Sequence, residues 1–171
     1  MKYISTRGAA PTLAFDDVLV TGLARDGGLY VPDSWPQFSA AELRRFRHLS
    51  YADLAEEVMR PFVAGSIDDA SLRTIVHGAY RDFGHPAVAP LKQLDQRLWL
   101  MELFHGPTLA FKDYAMQVLG RMFDHVLKAR GERVTIVGAT SGDTGSAAID
   151  AVAGRAKIDI FMLHPDGRVS D

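Results

Sequence analysis

The order of patterns between residues 134 and 163 constrains this chain more than any other feature. Val134-Thr135-Ile136-Val137 is a β-branched run, 138–146 is rich in Gly, Ser and Thr, 144–153 reads as a helix of small residues, and Ile158-Asp159-Ile160-Phe161-Met162-Leu163 is a second extended run. Strand, helix and strand with short connections make a βαβ unit, which implies a parallel sheet. In open α/β sheets ligands bind outside the carboxyl ends of the strands, so the loop at 138–146 lies where a site is expected.

Upstream, residues 109–130 predict a long helix with Ala115, Val118, Leu119, Met122, Phe123, Val126 and Leu127 on one face. Asp113, Gln117, Arg121, Asp124 and Lys128 fall on its polar side, Asp124 and Lys128 at a supporting spacing, and Gly131 reads as its C-cap. Thr108 reads as its N-cap and Leu98–Phe104 as a buried strand.

Ahead of the helix-poor segment His85-Pro86-Ala87-Val88-Ala89-Pro90 the pattern is mainly helical. Ser39 with Glu42, and Ser50 with Asp53, read as helix starts, and Pro61 is expected to kink or end the second helix. Leu72, Ile75, Val76, Ala79, Tyr80 and Phe83 form a core-facing stripe after Asp68-Asp69. Residues 1–38 differ, with a hairpin-type signal at Asp26-Gly27-Gly28 and a strand-rich reading. The fold class is therefore α/β: a mostly helical N-terminal domain with a few short strands over 1–90, then part of a parallel βαβ domain over 91–171.

Composition narrows the functions. The 171 residues carry a net charge of −2 and no cysteine, which excludes a disulfide framework, a thiolate nucleophile and Cys-based metal sites. There is no basic excess of the kind a nucleic-acid binder shows, no apolar run of about 18–20 residues for a membrane span, and no apolar core after MKYISTRG to make a secretory leader. No nucleic-acid or membrane partner is expected, and a cytoplasmic location is. The six histidines (48, 77, 85, 105, 125 and 164) offer no metal-ligand spacing; His105 reads first as structural, and Arg44, Arg45, Arg47 and His48 as a solvated basic face.

Two segments carry chemistry. Gly138-Ala139-Thr140-Ser141-Gly142-Asp143-Thr144-Gly145-Ser146 suits an anion, because glycines admit close approach and the helix start and hydroxyls offer donors. It is neither a P-loop, lacking the lysine, nor a G-x-G-x-x-G fingerprint, and Asp143 disfavours a bare phosphate. The same residue types also serve as plain turn formers capping a helix. Lys112, in the first or second turn of the long helix, faces the wrong end of the helix dipole among apolar neighbours, an arrangement that suits an amine required neutral for imine formation. The alternative has Lys112 pointing to water and paired with Asp113 or Asp143.

The segment Glu102-Leu-Phe-His-Gly-Pro-Thr-Leu-Ala-Phe-Lys-Asp113, followed by Ala139-Thr-Ser-Gly-Asp-Thr-Gly145, resembles threonine synthase. So do Tyr3–Gly8, Gly22–Pro32 and the block His164–Ser170, so that the resemblance covers essentially the whole chain. It implies a pyridoxal-phosphate enzyme of the tryptophan-synthase-β-like fold type that converts O-phospho-L-homoserine and water to L-threonine and phosphate. Lys112 matches the Schiff-base lysine, which also shuttles protons at Cα and Cβ. Asp143 matches the position near the cofactor's ring hydroxyl, where many relatives of this fold type carry Asn. An ionised Asp can only accept there, so either the proton is placed differently in this chain or Asp143 does another job. Thr140, Ser141, Gly142, Thr144 and Gly145 match the loop that holds the substrate carboxylate.

The family's glycine-rich loop for the cofactor phosphate, and its partner for the pyridine nitrogen, find no counterpart in these residues. The chain is therefore expected to be an N-terminal fragment, inactive by itself. The competing readings are a cysteine-synthase-like β-replacement enzyme of the same fold, and a non-catalytic anion-binding fragment.

Overall fold

A computed structural model describes residues 1–167. Arg168, Val169 and Ser170 of the block quoted above, with Asp171, lie outside the described residues. The chain divides into two compact units, Met1–Val76 and His77–Asp171, so the sequence boundary at residue 90 falls inside the second.

The first unit opens with an antiparallel sheet of β1 (Lys2–Ser5), β2 (Leu13–Ala14) and β3 (Tyr30–Pro32), in the order β2-β1-β3. Between β2 and β3 lies α1 (Phe15–Thr21), which the sequence reading missed because no side chain caps its start. Asp26-Gly27-Gly28 does not close a two-residue hairpin: β1 meets β3 across a long connection, with Ser5 opposite Tyr30. Asp26 ties that connection together, accepting from Ser5 Oγ at 2.7 Å, Gly28 N at 2.9 Å and Ala9 N at 2.9 Å. The Ser5 hydroxyl first, then the Gly28 N–H, hold its carboxyl below the usual carboxylate range.

Helix α2 (Ala40–Phe46) starts in the capping box of Ser39 and Glu42. Helix α3 (Tyr51–Val63) is capped by Ser50. Pro61 does not end α3 where it stands: the helix runs on to Val63, and a proline in the last turn removes only one hydrogen bond. Helix α4 (Asp69–Tyr80) spans the junction of the units, and its whole predicted stripe, Leu72 to Phe83, is buried. In the first unit Leu72, Ile75 and Val76 share the core with Tyr3, Val63 and Ile67.

In the second unit β4 (Leu91–Gln93) and β5 (Trp99–Met101) make an antiparallel ribbon. The predicted buried strand over Leu98–Phe104 is corrected: only Trp99–Met101 is strand, and Leu98, Trp99, Leu100, Met101 and Phe104 are exposed. An apolar run marks a surface that wants cover, and among the described residues no layer lies over it.

Helix α5 (Asp113–Arg130) ends in a left-handed Gly131, as predicted. The βαβ unit follows as β6 (Val134–Ala139), α6 (Asp143–Val152) and β7 (Ile158–Leu163), the strands parallel and in register from Val134 opposite Ile158 to Ala139 opposite Leu163. Val118, Met122, Val126 and Leu127 of α5 are buried with Ala147, Ala151 and Val152 of α6. Two residues assigned to the polar side of α5 are also buried, Asp113 and Gln117, because that side meets other groups of the unit. Gln117 donates to Asp150 on α6, while the Asp124–Lys128 pair forms as expected, at 2.8 Å.

Candidate active site

The peptide leading into α5 is fixed by a carboxylate. Asp113 is fully buried, 0% exposed, and accepts from Thr108 N at 2.9 Å and Thr108 Oγ1 at 2.7 Å. Thr108 is therefore not the N-cap of a helix starting at 109. The residues between it and Asp113 are turns, Lys112 is itself the N-cap residue, and the side chain at the helix start reaches back to the threonine. Gly106 makes room for this carboxylate, since a Cβ there would collide with Asp113. Leu109 takes the left-handed φ of +61°, strained for a leucine.

Lys112 is half-buried, and its Nζ lies 4.8 Å from the centroid of the Phe111 ring. Among the described residues it makes no ion pair with Asp113, whose oxygens are taken, nor with Asp143. Among the described residues its recorded neighbour is the Phe111 ring, with no hydrogen bond or ion pair to the amine.

The loop after β6 is organised by Thr140. Its Oγ1 accepts from Gly142 N at 3.2 Å and Gly145 N at 3.1 Å and donates to Gly142 O at 3.1 Å. Gly145 N also reaches Gly142 O, at 2.9 Å, and a Cβ on Gly145 would strike Thr140. Thr140 and Gly145 thus spend their polar groups inside the loop. Ser141, Asp143 and Thr144 have exposed side chains, and the start of α6 leaves N–H groups without intrahelical partners.

Packing brings the two segments level. Gln117 meets Asp150, Gly120 faces Ala151, and Arg155 contacts Asp124, so α5 and α6 run parallel with partners 31–33 residues apart. Continued to the two helix starts, the same offset puts position 112 at the axial level of positions 143–145. An electrophilic carbonyl at the amine would thus stand beside the exposed donors of the α6 start. A separate cavity of about 260 Å³ between α5, α6 and β6, lined by Met116, Leu119, Phe123, Ile136 and Val152 among others, is apolar throughout and offers no group for such chemistry.

The sequence profile described as "Threonine synthase N terminus" matches residues 2–80. Residues 2–80 belong to the threonine synthase N-terminal family. Similarity to threonine synthases extends over the remainder. The threonine synthase of Pseudomonas aeruginosa is 60% identical over 171 residues, all of this chain and 36% of that protein. A crystal structure of PLP-bound threonine synthase from Brucella melitensis superposes with a TM-score of 0.97 at 59% identity, covering 99% of this chain and 37% of that one. The yeast threonine synthase structure gives 0.94 at 40% identity, covering 99% and 36%. The chain thus spans somewhat over a third of the length of the relatives it matches, and its α/β fold is that of the corresponding part of threonine synthases. No helix among the described residues is long and apolar enough to cross a membrane.

Proposed function

We propose that this chain supplies the lysine end of a pyridoxal-phosphate site in threonine biosynthesis, acting on O-phospho-L-homoserine and water to give L-threonine and phosphate. The observation that carries the reading is the uncommitted Lys112 amine set level with the Asp143–Gly145 stretch by the parallel packing of α5 and α6. The residues present fit the carbonyl and ring end of the cofactor: a free amine, a fixed backbone beneath it, and exposed polar groups beside it.

Bound pyridoxal phosphate supplies an electron sink for chemistry at the substrate's α-carbon. Lys112 would hold the cofactor through its amine and, when that amine is free, would carry protons at the substrate's Cα and Cβ, its backbone pinned by the Asp113–Thr108 bonds. The hydroxyls of Ser141 and Thr144, with the free N–H groups at the start of α6, hold the substrate carboxylate. Asp143, an acceptor when ionised, would accept a hydrogen bond from a hydroxyl of the bound cofactor. Thr140, Gly142 and Gly145 keep these donors in place. The division into a helical domain over 1–90 and a cofactor-domain part over 91–171 belongs to the same reading.

The test is borohydride reduction of the protein with pyridoxal phosphate, followed by peptide mapping. A pyridoxyl group is expected on Lys112, together with phosphate release from O-phosphohomoserine in a chimera where residues 1–171 replace the matched part of the Pseudomonas aeruginosa threonine synthase. Labelling of other lysines only, or unchanged turnover in the Lys112→Ala chimera, would falsify the assignment.

A further inference from the structure

Seven residues before Lys112 a second pair of titratable side chains is held in place. His105 Nε2 lies 2.9 Å from Glu102 Oε2, with side chains only 18% and 22% exposed. The backbone on either side is tied down: Gly84 N donates to His105 O at 2.7 Å and Glu102 N to Pro90 O at 3.0 Å. Tyr114 of α5 donates to Val88 O at 2.7 Å. The His105 ring is flanked by His85 and Phe104, with centroids 5.1 and 4.7 Å away. The next residue, Gly106, rests on Asp113, the neighbour of Lys112.

The two histidines are not equivalent. Nδ1 of His85 accepts from Ala87 N at 3.1 Å, which fixes its proton on Nε2. His105 gives its Nε2–H to a carboxylate and keeps Nδ1 without a partner among the described residues. A carboxylate behind one ring nitrogen sets the tautomer, and it steadies the imidazolium formed when the other nitrogen takes a proton. Backbone strain marks the same place: the two non-glycine residues with left-handed φ among the described residues are Val88, at +59°, beside this pair, and Leu109, at +61°, between it and Lys112. Strained backbone gathers at functional sites.

We propose that His105 is a second acid–base group of the site: it takes the proton of the water that adds at Cβ, with Glu102 as its positioning residue. The proposal rests on the threonine-synthase reading above. In the step an O–H bond of water breaks and its proton passes to His105 Nδ1, the oxygen's electron pair forms the new C–O bond at Cβ, and the Cα=Cβ π pair moves to Cα, where Lys112 returns a proton. Glu102 offsets the imidazolium charge until the proton is handed on.

The test uses the chimera and the chain itself. With His105→Asn, threonine formation is expected to fall about 10²–10⁴-fold, with product diverted to 2-oxobutanoate, which forms when the unsaturated amino acid leaves unhydrated. Glu102→Gln, which keeps the side-chain shape, should shift the same ratio in the same direction by a smaller factor. In both, borohydride labelling of Lys112 should persist. A threonine to 2-oxobutanoate ratio unchanged in both variants overturns the proposal and leaves the lysine assignment standing, whereas absence of Lys112 labelling in the unsubstituted protein overturns both. Independently of turnover, ¹⁵N NMR of the chain should show His105 protonated on Nε2 and a mixture of tautomers in Glu102→Gln; the opposite tautomer in the unsubstituted chain sinks the idea.

Discussion

The peptide before Lys112 and the loop after β6 offer two ways of presenting chemistry at the start of a helix. Around Lys112 the backbone is clamped by a carboxylate with no exposure, a glycine that admits it and a strained leucine, leaving one free amine. Around Asp143 a single hydroxyl, Thr140, organises the backbone, and the side chains of Ser141, Asp143 and Thr144 are exposed. A covalent attachment point needs one position, because misplacing a reacting atom by an ångström is costly. A carboxylate clamp needs several donors that can each adjust.

That contrast breaks most sharply at Asp113. Asp113→Ala leaves the Thr108 N–H and hydroxyl without their acceptor and opens a hole, and should cost about 2–4 kcal/mol of stability. Urea denaturation checks it, and a cost under about 1 kcal/mol would mean the clamp is not what fixes the turn. Next is Gly145→Ala, whose Cβ would strike Thr140; overpacking of that kind costs about 1–3 kcal/mol. Gly142→Ala is the control, since a Cβ there meets nothing within 4 Å. Equal melting temperatures for the two variants would show that the loop yields as a whole. Smallest in stability is Ser141→Ala, expected within about 0.5 kcal/mol of the parent while raising KM for O-phosphohomoserine in the chimera with little change in kcat. A fall in kcat alone would place Ser141 outside the carboxylate clamp.

What the sequence made legible was local. Ser39 with Glu42 lies three residues apart in a capping box, Gly131 follows the last apolar turn, and the strands around α6 are continuous β-rich runs, so each could be read without knowing its neighbours. The start of α5 could not. Thr108 and Asp113 do bond, but the acceptor is the later residue, and five positions between partners does not resemble a cap. Burial of Asp113 and Gln117 was equally hidden, because a polar residue is assigned to solvent until its partner, such as Asp150, is known. The Leu98–Phe104 run failed the other way: hydrophobicity reports demand for burial, not its supply. Of the site, Lys112 and the 140–145 loop stood out as motifs. The Glu102–His105 contact stood out only as part of a longer block, since His105 has no metal or catalytic spacing of its own.

Leu109 carries a consequence for engineering. Its left-handed φ costs about 1–2 kcal/mol relative to a relaxed residue, while glycine would adopt that conformation freely at an entropic cost of about 0.5–1 kcal/mol. The leucine is 71% exposed, so packing against the described residues returns little for the strain. A search for thermostable variants would therefore settle early on Leu109→Gly, and would loosen the turn that leads to Lys112, the amine proposed above to hold the cofactor. Selection for melting temperature and selection for a well-aimed amine pull in opposite directions at this one residue.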